Sequence, residues 1–245
     1  MPQFGRIDAG SLAVVEREGS APPAPWSGDG VTVQAVTFEV AVSAALDALP
    51  ELFARPAPPY ARIAVTDYPD SPVGPYREAQ LLLSCRYLML PRQYVVASIV
   101  SSPEAAAAIA QHWGYEPVAG TVELTRDGDD FVSTISDPSG LTIRVASPGA
   151  ATSGTAMIRY DTTVSVWLVD GEPKAQLLSA EPGEIREAWL ARATTVEYSG
   201  GDRSSPWLQL RSTNPITCTI AELDLERPEP TVIERPSPGG GAGGP

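Results

Sequence analysis

For most of its length the chain alternates apolar and polar positions in short runs, the period-two pattern of half-buried strands. VTVQAVTFEV at 31–40 shows it first. From Arg62 onward it recurs in RIAVTDY, REAQLLLSCRYLML, QYVVASIV, VAGTVELTRDG, DFVSTISD, LTIRVAS, GTAMIRY and TVSVWLVDG, and NPITCTIAELDLE closes the series. DGDD, DPSG and VDGEPK separate several of these runs at hairpin spacing. An open sheet of so many strands would leave long unpaired edges. The pattern therefore predicts an α+β, mainly β fold, with an antiparallel sheet closed or strongly curled into a barrel and a few flanking helices.

Three segments depart from period two. VSAALDALPEL has helical spacing and stops near Pro50. SSPEAAAAIAQHW offers Ser102 as N-cap, Pro103 at the first helical position, Glu104 at the positive end of the dipole and alanines for propensity. PGEIREAWLARA sets Ile185, Trp189 and Ala193 on one stripe and predicts a further helix. Prolines and glycines in APPAPWSGDG make residues 1–30 an N-terminal arm. Residues 31–226 then form a single domain, and RPEPTVIERPSPGGGAGGP at 227–245 is a flexible tail or linker.

Composition narrows the function classes. With 245 residues, 43% of them hydrophobic, the chain can build a sizeable core. A net charge of −13, from 17 basic and 30 acidic residues, argues against a nucleic-acid partner. Cys85 and Cys218 are too few for a disulfide framework, no basic-then-apolar leader opens the sequence, and no apolar run approaches a membrane span. The expectation is a soluble, cytoplasmic protein without a membrane partner. One histidine and two distant cysteines have no metal-ligand spacing, no glycine-rich loop opens a helix and there is no GxSxG elbow, so neither metal nor cofactor is expected.

Candidate chemistry concentrates in two stretches. In GPYREAQLLLSCRYLML, at 74–90, strand alternation puts Tyr76, Glu78, Gln80, Leu82, Ser84 and Arg86 on one face. Ala79, Leu81, Leu83, Cys85, Tyr87 and Met89 take the other, a core face. The more polar face either meets water or lines a cavity; in a cavity, Glu78 is a candidate general acid or base. Arg86 lies roughly 26 Å further along an ideal strand, so a charge partner for Glu78 must come from another strand. Arg62, Arg144 and Arg159 are candidates. The second stretch is AQHWGYEPVAG, at 110–120. His112, the sole histidine, is a candidate proton-transfer group or a plain helix-terminal residue. Trp113 and Tyr115 either line a pocket or pack the helix, and Glu116 is a second carboxylate.

The GPYRE and WGY segments, some forty residues apart, resemble those of acetoacetate decarboxylases. The resemblance implies a cone-shaped barrel around a deep cavity, with Glu78 projecting into it as a catalytic residue beside His112. It also implies substrate contacts from Tyr76, Gln80, Arg86, Trp113, Tyr115 and Glu116. In that family two adjacent lysines follow the aromatic step, one depressing the pKa of the other so that a neutral amine attacks a ketone. Here those positions hold Pro117 and Val118, and the only lysine, Lys174, falls in the turn-like VDGEPK. The resemblance therefore implies a lysine-independent enzyme of bacterial secondary metabolism. It would perform cyclisation or another proton-transfer or lyase-type step on a polyketide-type carbonyl metabolite, as a homo-oligomer and without a cofactor. The alternatives are a non-catalytic binding protein that keeps the cavity, and an oligomeric scaffold.

Overall fold

The computed structural model describes residues 2–12, 19–158, 162–178, 181–212 and 214–233. β1 (Trp26–Glu39) leads into α1 (Val42–Ala48), and β2 (Tyr60–Tyr68), β3 (Tyr76–Tyr87) and β4 (Leu90–Val100) follow as a meander before α2 (Pro103–Trp113). The chain then forms β5 (Val118–Ala119), β6 (Thr121–Asp127), β7 (Asp130–Ser136), β8 (Thr142–Ser147) and β9 (Ala151–Thr152). A hairpin of β10 (Thr163–Val169) and β11 (Glu172–Leu177) comes next. β12 (Glu181–Ala191), β13 (Thr195–Ser199), the short α3 (Pro206–Gln209), β14 (Pro215–Arg227) and β15 (Thr231–Val232) follow.

The mainly β, α+β class holds, but the expected barrel does not. Eleven strands form one sheet in the order β15-β11-β10-β4-β3-β2-β1-β14-β12-β9, with β5 branching from β4, and β13-β8-β7-β6 form a second sheet. Neither is closed or strongly curled. The terminal strands of the large sheet, β15 and β9, have two residues each and cover only part of their neighbours, β15 pairing with Gln176 and Leu177 of β11 and β9 with Trp189 and Leu190 of β12. Pairing is mostly antiparallel, but β4 takes both β10 and β5 in parallel.

Residues 182–193, expected as a helix, fall mostly in strand β12 instead, paired with β14. Register irregularities fall between Pro182 and Ile185 and between Ile185 and Glu187. A spacing of four is even, so an unbroken strand would also set Ile185 and Trp189 on one face; the bulges instead send them to opposite faces, Ile185 beside Leu223 and Trp189 against Phe131. GTAMIRY opens as a 3-10 turn at Thr155–Met157, and its Arg159 and Tyr160 lie outside the described residues. Ordered structure also reaches beyond residue 226: β14 runs through Arg227, and Thr231 and Val232 pair with Leu177 and Gln176. The rest of the expected tail, 234–245, lies outside the described residues. Among those described, no helix is long and apolar enough to cross a membrane.

Alternation along the central strands splits the core between the two faces of the large sheet. Phe38, Ile63, Val65, Leu81 and Leu83 pack with α1 and with Phe131, Ile135 and Ile143 of the second sheet. Val33, Ala64, Tyr68, Tyr76, Leu82 and Leu223 pack on the other side with Ala105, Ile109 and Trp113 of α2. Helix α2 forms as its sequence predicts: the Ser102 side chain accepts from the Ala105 amide, Pro103 opens the first turn, and Gly114 ends the helix with φ of 65°. Adding a Cβ at Gly114 would bring it within 2.4 Å of the Trp167 ring, so both conformation and space require glycine there.

Candidate active site

Glu78 lies on the α2 side of β3 and is 2% exposed, so the polar face of this strand is turned inward. A buried carboxylate must be paired and hydrogen-bonded. Its Oε2 accepts from Arg227 Nη1 at 2.9 Å. Its Oε1 accepts from Ser98 Oγ at 2.8 Å, the Tyr115 hydroxyl at 2.9 Å and Gln80 Nε2 at 3.1 Å. Both oxygens are therefore engaged by donors.

Arg227, at the end of β14, closes the cluster. Its Nη1 also donates to the Tyr76 hydroxyl at 3.2 Å, its Nη2 donates to the Tyr115 hydroxyl, and its guanidinium lies 4.6 Å from the Trp113 ring centroid. Trp113 in turn donates from Nε1 to the Pro228 carbonyl at 3.0 Å, fixing the chain just past Arg227. Gly114 turns the chain out of α2 so that Tyr115 meets both members of the ion pair. Burial alone would draw the Arg227 guanidinium towards neutrality, but Glu78 and the surrounding tyrosines hold its pKa well above the ordinary value. Burial likewise pushes the phenols of Tyr68 and Tyr115 well up and that of Tyr76 to about 12, against the opposing pull of Arg227. These hydroxyls stay protonated at neutral pH.

A cavity of about 90 Å³ adjoins the cluster. Gln80 and Tyr68 line it together with Arg62, Thr66, Thr163 and Thr219, and Val33, Ala64, Leu82 and Ala221 supply apolar wall. Glu78 is not among the lining residues and meets them through Gln80. The volume is about that of three liquid waters and below the roughly 300 Å³ at which drug-sized pockets begin. A larger groove of about 710 Å³ lies elsewhere, along Phe4, Arg55, Leu88 and Met89, and shares no residue with the Glu78 cluster.

The structure brings Tyr76, Glu78, Gln80, Trp113 and Tyr115 together, as the two sequence segments suggest. It leaves three expected residues outside. Arg86 is exposed at the far end of β3 and lines the larger groove. Glu116 is exposed. His112 stacks edge-on against Trp26 and Trp113, and its buried Nε2 has no hydrogen-bond partner, so its described contacts are those of a packed ring. Of the arginines considered as partners for Glu78, Arg62 lines the cavity, Arg144 pairs with Glu197 on the second sheet, and Arg159 lies outside the described residues. The actual partner, Arg227, was missed because RPEP opens a proline-rich stretch; that β14 alternates up to it was the one available signal. Lys174 sits on β11 opposite Trp167, beyond the turn in which it was expected, and is not among the cavity residues.

Fold and site together describe a β-rich protein with a buried, charge-paired cluster beside a small cavity. A family model described as acetoacetate decarboxylase matches residues 13–152. The chain belongs to the acetoacetate decarboxylase family. Solved structures agree on the fold. An acetoacetate decarboxylase from Legionella pneumophila subsp. pneumophila str. Philadelphia 1 superposes with a TM-score of 0.74 at 15% identity, covering 91% of this chain and 97% of that one. The enduracididine biosynthesis enzyme MppR complexed with pyruvate gives 0.69 at 14% identity, covering 86% and 91%. An acetoacetate decarboxylase-like enzyme from Sphingomonas wittichii RW1 gives 0.68 at 13% identity, covering 88% and 95%. No curated protein matches the sequence.

Proposed function

We propose that this chain is an amine-free enzyme of its family, performing a lyase-type step on a short carbonyl compound by hydrogen-bond and charge stabilisation of an oxyanion. The observation that carries the reading is the Glu78–Arg227 pair, buried beside a cavity wall that Gln80 and Tyr68 complete. A guanidinium keeps its charge and does not form an imine, so the cation here acts as an electrostatic element. Glu78, with both oxygens engaged, serves as a positioning residue that fixes Arg227, Tyr115 and Gln80. In a 3-oxo acid, cleavage of the bond between the α-carbon and the carboxylate releases carbon dioxide and sends the bond's electron pair through the α-carbon to the ketone oxygen. Fixed donors and a desolvated positive charge favour that developing enolate, and water then protonates its carbon.

Cavity size moves the substrate class away from a polyketide towards a compound of a few heavy atoms. The pyruvate bound to the neighbour MppR is of that scale. A second reading, a non-catalytic binding protein, is favoured by one observation: among the described residues, those lining the cavity include no carboxylate and no imidazole to move a proton. The test is to incubate the protein with 2-oxo and 3-oxo acids of three to six carbons, following carbon dioxide release and solvent-deuterium incorporation by NMR. The enzyme reading expects turnover that Glu78→Gln slows at least tenfold with the circular dichroism of the sheet retained. Binding without turnover across the panel would favour the second reading.

A further inference from the structure

We propose that Tyr68 is a catalytic residue, the group that donates a hydrogen bond directly to the ligand's carbonyl oxygen in the small cavity; this rests on the oxyanion-stabilising function above. Three tyrosines surround Arg227, and two of them are engaged within the protein. The Tyr76 hydroxyl accepts from Arg227, and the Tyr115 hydroxyl donates to Glu78 while contacting Arg227 and Gln80. Tyr68 differs. It is 7% exposed, and its hydroxyl has no hydrogen-bond partner among the described residues. The hydroxyl is not sealed in by protein, and Tyr68 lines the cavity, where a guest can accept its hydrogen bond.

Its ring is held as firmly as those of its neighbours. Tyr68 closes β2 directly opposite Tyr76, with the two rings stacked at 4.6 Å between centroids and 22° between planes. The Arg227 guanidinium lies 6.0 Å from the Tyr68 centroid. A rigid phenol with an unused hydroxyl therefore stands on the wall of a cavity that also presents Thr66 and Gln80. Because burial keeps the phenol protonated at neutral pH, it offers a donor suited to a carbonyl oxygen that gains negative charge as a carbon–carbon bond breaks. No proton need leave Tyr68: the electron pair moves to the ligand oxygen, Tyr68 shortens its hydrogen bond to it, and water supplies the proton at carbon. The ligand class is a small oxo compound whose oxygen meets the Tyr68 hydroxyl, with Thr66 on the same wall.

The test uses two probes on the full chain, pyruvate as a ground-state oxo acid and oxalate as a planar mimic of its enolate. Tyr68→Phe removes one oxygen and leaves the stack on Tyr76. Calorimetry is expected to show oxalate affinity falling at least tenfold in the variant and pyruvate affinity falling less. In wild-type protein labelled at the tyrosine ζ carbons, the signal absent from the variant is expected to shift on adding oxalate. Equal oxalate affinity in the two proteins, or a labelled signal that stays fixed while oxalate binds, would overturn the role of Tyr68 alone and mean that its hydroxyl serves only a cavity water. Failure of wild type to bind either probe would instead sink the functional reading, and this inference with it.

Discussion

Arg227 donates to Glu78 at 2.9 Å although 149 residues separate them along the chain. The pair is almost wholly out of water, with side chains 9% and 2% exposed. Breaking such a pair from one side strands a buried charge. Arg227→Gln is therefore expected to destabilise the fold by about 3–5 kcal/mol in urea unfolding. Adding Glu78→Gln should recover a substantial part of that loss, and additive effects would mean that the two side chains do not act as a unit.

Gly114 couples helix geometry to the same cluster. Gly114→Ala adds a Cβ to a residue at φ of 65° and drives it to 2.4 Å from the Trp167 ring. A loss of at least about 1–2 kcal/mol is expected. The Tyr115 ring signals should shift with it, because the chain leaves α2 at this residue. Wild-type stability in the alanine variant would show that Trp167 can yield.

Alkaline pH should weaken the protein before it affects typical tyrosines. Burial raises Cys85 from 9.0 to about 12, and Tyr76 and Tyr94 from 10.0 to about 12. In this interval the unfolded chain has released protons that the folded chain still holds, so stability falls as pH rises. The contribution is intact below pH 9 and is lost progressively towards 12, at up to about 1.4 kcal/mol per pH unit for each group. Burial raises the Cys218 thiol as well, so Cys85→Val alone should make the loss above pH 9 shallower without moving its onset; an unchanged slope would remove the Cys85 thiol from this account.

Gln176 is fully buried, and neither its amide oxygen nor its nitrogen has a partner among the described residues. Gln176→Met keeps the shape and removes the unpaired polar atoms. Chemical unfolding should find it neutral to about 2 kcal/mol more stable. A clear loss would indicate a water held by that amide.

Imine chemistry is expected to be absent. Treating the protein with pyruvate and cyanoborohydride should leave its mass unchanged, since Lys174 lies on β11 away from the cavity residues. A stable adduct on Lys174 would contradict the amine-free reading.

Much of the site was legible because strand alternation is a local property. Tyr76, Glu78 and Gln80 share a face by period two alone, and Ser102, Pro103 and Gly114 mark both ends of α2. What could not be read was long-range or irregular. Nothing in RPEP announces that Arg227 will be buried, because its reason for burial is a carboxylate on a distant strand. A spacing of four fits a strand and a helix alike, so Ile185 and Trp189 could not decide between them, and the bulges of β12 and the open strand order of the large sheet have no clear sequence signature.

The order in which the polypeptide is made gives the Glu78–Arg227 pair one more consequence. During vectorial synthesis the acid leaves the ribosome well before its counter-ion, and the sheet cannot enclose it at low cost until β14 has emerged. Chaperones that hold nascent chains would then meet the β2–β3–β4 meander with its acid still hydrated, and the native arrangement would lock only as the last long strand arrives.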